Sequence, residues 1–367
     1  MRTLYIGVMS GTSLDGVDAV LIDTSQGFQC LAHVALPMPE MLRKHFLQLN
    51  QAGPNELHGA ALSANSLVAL YAQAVHSLLR TTQHTADEIA AIGAHGQTVR
   101  HQPQMHDGVG YSLQLNNPAL LAELTGISVV ADFRSRDVAA GGQGAPLVPA
   151  FHQAVFGQRG ETVVVLNIGG MSNVSILQND TVLGFDCGPG NVLMDHWCQQ
   201  HLGQRYDHLG HWAASGKLSQ ALLTRFMNDP FFNAPPPKST GRDLFHADWL
   251  QAHLSALPEL SAADVQATLA ALTVQTCTQD VLRHAPTAKR LLVCGGGAYN
   301  QHLMSLLSQA LPGLEVASTE AHGLPPLQVE AAAFAWLARQ TLQNLPGNLP
   351  AVTGARGPRV LGAIYPA

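Results

Sequence analysis

Short apolar, β-branched runs alternate along this chain with stretches in which apolar residues recur every three or four positions. That mixture predicts strands interspersed with helices, an α/β or α+β chain. Residues 3–9, 17–23 and 30–36 read as three strands joined by short loops, which suits an antiparallel meander. Residues 40–51 and 57–79 read as helices, and in the second Leu57, Ala61, Ala64, Val68 and Tyr71 share one face. A strand at 89–94, a helix at 119–125 and a strand at 127–133 precede a loop over 134–146 that holds Gly141, Gly142 and Gly144. At residue 162 the opening pattern returns as a strand over 162–168, a turn at 169–172 and a strand over 173–177. Met9-Ser10 and Met171-Ser172 mark both copies, the weak similarity that a duplicated strand–turn–strand unit leaves. Helices at 191–202 and 262–284, a strand at 291–294 and helices at 300–311 and 326–342 complete the pattern. Pro235-Pro236-Pro237 breaks the chain into a loop, and the Gly- and Pro-rich tail 344–367 is expected to wrap back across the surface.

Composition narrows the class. The 367 residues fit two domains on the usual scale of roughly 100–200 residues each. Apolar residues make up 46%, enough for a sizeable core, while charged residues make up 12%, half the usual ~25%. The net charge of −6 and the lack of any Lys or Arg run argue against nucleic acid as partner. A phosphate ligand would then be held by backbone N–H groups, a metal ion and a few arginines. The five cysteines are widely spaced with no C-x-x-C, so neither a zinc ribbon nor a disulfide framework is indicated, and a reducing cytoplasm is expected. The first residues lack the apolar core and cleavage site of a secretory leader, and no apolar stretch reaches the ~20 residues that span a bilayer.

Five segments carry candidate chemistry. The first is Gly11-Thr12-Ser13-Leu14-Asp15-Gly16-Val17-Asp18. A hydroxyl-rich turn between strands directs several donors to one point and can hold an anion without a lysine, with Asp15 and Asp18 available to orient Mg²⁺ or its waters. A plain hairpin turn is the other reading. The second, Gly169-Gly170-Met171, is again a glycine turn between strands, and two such turns suggest two grips on the same phosphates. The third places Asp186 at a strand end before Gly188-Pro189-Gly190, either as a general base for an O–H proton or as a turn former or helix cap. The fourth, Gly295-Gly296-Gly297, lets a flat adenine or ribose approach the backbone, or simply joins a strand to a helix capped by Asn300. The fifth offers Arg134 and Arg136 as planar forks for a carboxylate, or as surface ion-pair partners of Asp132 and Asp137. No G-x-x-x-x-G-K, G-x-G-x-x-G, G-x-S-x-G or H-E-x-x-H pattern occurs, and the 18 histidines show no third-ligand spacing for a metal.

These segments, with residues 7–18, Gly93-Ala94-His95-Gly96-Gln97-Thr98, residues 132–151, 166–173 and 185–191, Lys238-Ser239-Thr240-Gly241-Arg242, residues 330–338 and Leu361-Gly362-Ala363-Ile364-Tyr365-Pro366, resemble the anhydro-N-acetylmuramic acid kinase family. The resemblance runs nearly end to end, in order and spacing, with no motif interrupted. It implies an actin-like (ribonuclease H-like) α/β fold of two lobes, each a mixed five-stranded sheet flanked by helices, with a deep cleft between. Residues 1–128 plus 345–367 would form the first lobe and 129–344 the second. It implies ATP and Mg²⁺ as cofactors, a possible homodimer, and no nucleic acid or membrane partner. The implied reaction opens the anhydro bond of 1,6-anhydro-N-acetylmuramic acid, a product of cell-wall turnover, with water. It then phosphorylates O6, giving N-acetylmuramic acid 6-phosphate and ADP. In this reading Asp186 is the base. The two turns and Gly295-Gly296-Gly297 bind ATP, and Asp15 and Asp18 meet the metal through water. His95, Gln97, Thr98, Arg134, Arg136, Asn191 and Glu330 meet the sugar. Another amino-sugar kinase of the superfamily, a non-catalytic sugar sensor and a filament or chaperone ATPase are the competing readings.

Overall fold

The computed structural model describes residues 2–11, 13–178, 181–242 and 244–367; Thr12 of the first turn therefore lies outside the described residues. The chain divides into two compact units, residues 1–155 with 328–367, and residues 156–327.

The first unit is built on β1 (Leu4–Met9), β2 (Gly16–Asp23), β3 (Gln29–Pro37), β4 (Ile89–Ala94), the hairpin of β5 (Gln97–Pro103) and β6 (Gly110–Leu115), and β7 (Val129–Ala131). The second unit carries β8 (Thr162–Ile168), β9 (Met171–Gln178), β10 (Thr181–Pro189), β11 (Arg290–Cys294) and β12 (Glu315–Ser318), and β13 (Ala363–Tyr365) returns to the first. The first sheet has the order β13-β7-β4-β1-β2-β3 and the second β10-β9-β8-β11-β12. In each, three leading strands form an antiparallel meander, and parallel strands add beside the first. Both sheets therefore follow one ribonuclease H-like plan, and the expected α/β class and duplication hold. The Met-Ser pairs are not its equivalent positions: Met9 ends β1, whereas Met171 opens β9.

The sequence expectation needs four corrections. The first sheet has six strands because the tail, expected on the surface, supplies β13 antiparallel to β7. The strand expected over 127–133 shrinks to Val129–Ala131, because Asp132 takes a left-handed φ of 62° that ends it. The loop expected over 134–146 holds a short helix, Ser135–Ala139. The unit boundaries also fall elsewhere than at 128/129 and 344/345: β7 pairs with β4, and the helix Val329–Leu342 packs on β1 and β4, which ties both segments to the first unit.

Side-chain alternation explains the layering. Ile6 and Val8 join the core formed with Leu67, Val68, Tyr71 and Val75 of the helix Glu56–Thr82. Gly7 and Gly93 turn the other way, and a Cβ on either would run into the backbone carbonyl of Ala331 or Phe334 in the helix Val329–Leu342. In the second unit the helix Ala262–His284 packs Val265, Leu269 and Cys277 into a core with Val164, Leu166 and Ile168. Among the described residues, which include all five cysteines, no disulfide forms. Among the described residues no helix is long and apolar enough to cross a membrane.

Candidate active site

In the first unit the loop from β1 to β2 folds back on itself, with Leu14 N–H donating to the Gly11 carbonyl at 3.1 Å. The residue with left-handed backbone here is Leu14, φ 57°, not a glycine. Its side chain is buried in the core, as is that of Val17, so both can offer a ligand only backbone. Ser13 and Asp15 are exposed. Gly16 is a glycine for packing, since a Cβ would strike the Leu36 carbonyl, whereas Gly11 meets nothing closer than 3.6 Å. Asp18 is already engaged: His33 Nε2 lies 2.7 Å from its Oδ1.

The first strand leads to a buried polar network. His95 is 8% exposed. Its Nδ1 lies 3.2 Å from the Ser10 carbonyl, and its Nε2 lies 2.8 Å from Gln114 Nε2 and 2.9 Å from Arg134 Nη2. A carbonyl can only accept, so Nδ1 carries the proton and Nε2 accepts from both donors. Burial and the neighbouring Arg134 push its pKa down to about 3, which keeps the ring neutral at neutral pH. Both nitrogens are spent inside the protein, so His95 holds Arg134 rather than reaching for ligand. Arg134 also donates to the Gly144 carbonyl at 2.8 Å. Burial pulls its pKa down to about 10, against the opposing pull of Glu330 and Asp137. Glu330, in the first turn of the helix Val329–Leu342, feels the opposite push: crowding by protein and the Asp18 charge raise its carboxyl, against Arg134. Its side chain still meets solvent. Gln97 is 1% exposed; its amide N–H₂ donates to the Thr98 carbonyl at 3.2 Å and its oxygen has no partner among the described residues. Thr98 accepts from Gln114 at 3.0 Å. Arg136 is exposed, with no side-chain partner among the described residues. Asp137 is no surface ion-pair member: it is buried and accepts from Asn348 at 2.6 Å, Thr353 at 2.8 Å and Gly144 N–H at 2.8 Å, tying the 134–144 loop to the tail.

In the second unit three glycine turns pack on one another. The Gly169 and Gly170 carbonyls accept from the backbone N–H groups of Asn191, Gly190 and Val192 at 2.8, 2.9 and 3.1 Å. Asn191 adds a side-chain bond to the Ile168 carbonyl at 3.1 Å. Thr273 donates to the Pro189 and Gly190 carbonyls at 3.1 and 2.9 Å. A Cβ on Gly190, Gly295 or Gly297 would collide with Gly169, Asn167 or Ile168. Gly170 and Gly296 are different, since Gly170 meets no neighbour within 4 Å and Gly296 nothing closer than 3.7 Å. Neither has a positive φ. Met171 packs its side chain on the core. Asn300 caps the helix Gln301–Ala310 through Leu303 N–H at 3.1 Å, so the fourth segment is the expected strand–helix joint whatever else it does.

Asp186 caps no helix. It lies on β10 where the register shifts between Asp186 and Gly188, a bulge that re-aims the side chain. Its backbone N–H donates to the Lys238 carbonyl at 3.0 Å. Its Oδ2 accepts from Ser239 Oγ at 3.1 Å and Thr240 N–H at 2.9 Å. Oδ1 accepts from nothing among the described residues. Burial raises the carboxyl, against the lowering effect of those two donors and Lys238. Beside it the Thr240 hydroxyl is buried without a partner among the described residues. Sequence reasoning placed residues 238–242 in the family pattern but gave Ser239 and Thr240 no role; nothing in local spacing links them to a residue 53 positions earlier.

Comparison with known proteins shows the family. The model of a family described as anhydro-N-acetylmuramic acid kinase matches residues 3–367. A protein of that name from Variovorax paradoxus (strain S110) is 60% identical over 371 residues, 99% of either chain. One from Cupriavidus pinatubonensis (strain JMP 134 / LMG 1197) is 60% identical over 367 residues, 99% of this chain and 98% of that one. Among solved structures, the activator of the 2-hydroxyisocaproyl-CoA dehydratase from Clostridium difficile with bound ADPNP covers 93% of this chain and 98% of its own. That overlap has 11% identity and a TM-score of 0.48.

Proposed function

The chain belongs to the anhydro-N-acetylmuramic acid kinase family, and from that premise we propose how its residues divide the work. The enzyme uses ATP to phosphorylate its sugar at O6 while water opens the 1,6-anhydro ring, giving N-acetylmuramic acid 6-phosphate and ADP. Asp186 is the general base. The observation that carries this role is its asymmetric binding: Oδ2 is held by Ser239 and Thr240, Oδ1 accepts from none of the described residues, and burial raises the carboxyl. A base held this way is aimed, and its proton affinity is moved toward the working pH. Oδ1 takes a proton from the water that bonds to C1. The C1–O6 bond breaks, and O6 bonds to the γ-phosphorus as the bond to ADP breaks. Such a transfer rests on positioning and charge neutralisation.

The two hairpin turns and Gly296 bind the nucleotide through backbone donors at Gly11, Gly170 and Gly296, where no packing demand explains a missing side chain. Ser13 and Thr12 add hydroxyls. Arg134, pre-oriented by His95 and Gly144, binds the lactyl carboxylate; exposed Arg136 is the less ordered candidate. Gln97, Thr98 and Glu330 line the sugar site, and Asn191 acts by bracing the second turn. Mg²⁺ would supply charge neutralisation at the phosphates. Among the described residues no three His, Cys, Asp or Glu side chains converge, which fits an ion held mainly by phosphate oxygens and waters. Asp18 and exposed Asp15 are the residues that would steady those waters. A homodimer in a reducing cytoplasm belongs to the same proposal. Turnover in ¹⁸O-water with rapid quenching tests the chemistry: the label appears on C1 of the 6-phosphorylated sugar, and label in the phosphate instead defeats it.

A further inference from the structure

Lys238 and Asp280 form an ion pair whose side chains are 4% and 3% exposed, with Nζ 3.0 Å from Oδ2 and 3.3 Å from Oδ1, the latter in hydrogen-bond geometry. Two aromatic rings flank the ammonium. Nζ lies 5.1 Å from the Phe231 ring centroid and 5.7 Å from that of Phe185. Asp280 accepts from no other group among the described residues, and its Oδ2 lacks a well-aligned donor. A buried pair so sparsely hydrogen-bonded recovers little beyond its desolvation cost, and an apolar pair of similar volume would stabilise the fold as well or better. Stability is therefore a poor reason for these two residues.

Their placement supplies a better one. Lys238 is the residue whose carbonyl receives the Asp186 N–H, and the next two residues supply both donors to Asp186 Oδ2. We infer that the buried Lys238–Asp280 pair is a positioning device for Asp186, anchoring the 238–240 segment to the helix Ala262–His284 and setting the electrostatic field at the base. The inference rests on Asp186 being the base. Among the described residues, the other titratable groups around the ion pair are Cys187, Cys277 and His284. Burial pushes the Cys187 thiol far up and the His284 ring down, so both are uncharged at neutral pH. Lys238 is thus the cation that favours ionised Asp186, and Asp280 is what keeps that cation in place.

Lys238→Met alone leaves Asp280 buried and unpaired and risks unfolding. The decisive variant is Lys238→Met/Asp280→Leu, which keeps the volume and removes both charges. It is expected to melt no lower than wild type. Its kcat should fall by roughly 10- to 100-fold with KM for ATP within about twofold, and the acidic limb of its kcat–pH profile should move to higher pH. A role in packing alone would move neither the limb nor kcat in a stable variant. A double variant with wild-type kcat and limb overturns the inference while leaving Asp186 untouched. Asp186→Asn with wild-type turnover overturns the base assignment and the inference with it.

Discussion

The two hairpin turns occupy the same place in the two sheets but are built from opposite materials. The loop between β1 and β2 is six residues long, carries hydroxyls and a carboxylate, and is closed by one backbone bond with a left-handed Leu14. The loop between β8 and β9 is two bare glycines whose carbonyls are already satisfied by the N–H groups of residues 190–192. The first turn can contact phosphate through several alternative donors. The second has only backbone to offer, and it is stitched to residues 190–192, just past the end of the strand that carries Asp186. One plan of strands has thus yielded a hydroxyl-rich turn in one unit and a bare one braced against the end of the Asp186 strand in the other; on the proposed function the first is an adaptable grip and the second a rigid one coupled to the base.

The largest expected effect tests that coupling. Asp186→Asn keeps the shape and both Oδ2 donors but removes the base, and kcat should fall by roughly 10²–10⁴-fold while ATP affinity measured by calorimetry stays within about twofold. The wild-type kcat–pH profile should show its acidic limb above the ordinary aspartate value of 3.8, because burial raises this carboxyl and activity is lost as pH falls through the raised value. A limb at or below 3.8 would separate the base from its buried setting.

Next in size is rigidity itself. In Gly190→Ala the added methyl meets the Gly169 carbonyl and, at 2.9 Å, Ser172 Oγ. The turn must open, at a cost of about 1–3 kcal/mol in chemical denaturation and a loss of kcat. If Gly190→Ala unfolds at the wild-type denaturant midpoint, the second turn is as pliable as the first and the contrast drawn here fails.

Legibility in the sequence follows the same physics. The meanders and the helices Glu56–Thr82 and Ala262–His284 were plain because apolar period and burial coincide there. The β5–β6 hairpin is hidden in the sequence because Gln97-Thr98-Val99-Arg100-His101-Gln102 has almost no apolar alternation; it is held by its own backbone ladder, by the cross-strand bond from Gln114 to Thr98, and by Arg100, which donates to the Leu49 carbonyl. The three-residue β13 is specified by its pairing with β7, not by its own residues. At the site, single motif residues were readable and their roles were not. His95 looked like a sugar contact until both its nitrogens were found spent on Ser10, Gln114 and Arg134. Ser239 and Thr240 gained meaning only from the bulge that turns Asp186 toward them.

The smallest effect discriminates most finely between the two turns. Gly11 and Gly170 both sit in open space, the first no nearer than 3.6 Å to any neighbour and the second with none within 4 Å, so alanine at either should fold normally, within about 0.5 kcal/mol of wild type. A methyl at Gly170 then shields the only kind of donor its turn possesses, the backbone N–H. A methyl at Gly11 leaves hydroxyls and neighbouring N–H groups to compensate. KM for ATP should therefore rise roughly 5- to 20-fold in Gly170→Ala and about two- to threefold in Gly11→Ala, the difference between losing an irreplaceable charge-assisted hydrogen bond and losing a replaceable one. Equal rises would mean that the side chains of the first turn do not back up its main chain. A larger rise at Gly11 would make the hydroxyl-rich turn the principal phosphate grip and reduce the second turn to a brace for Asp186.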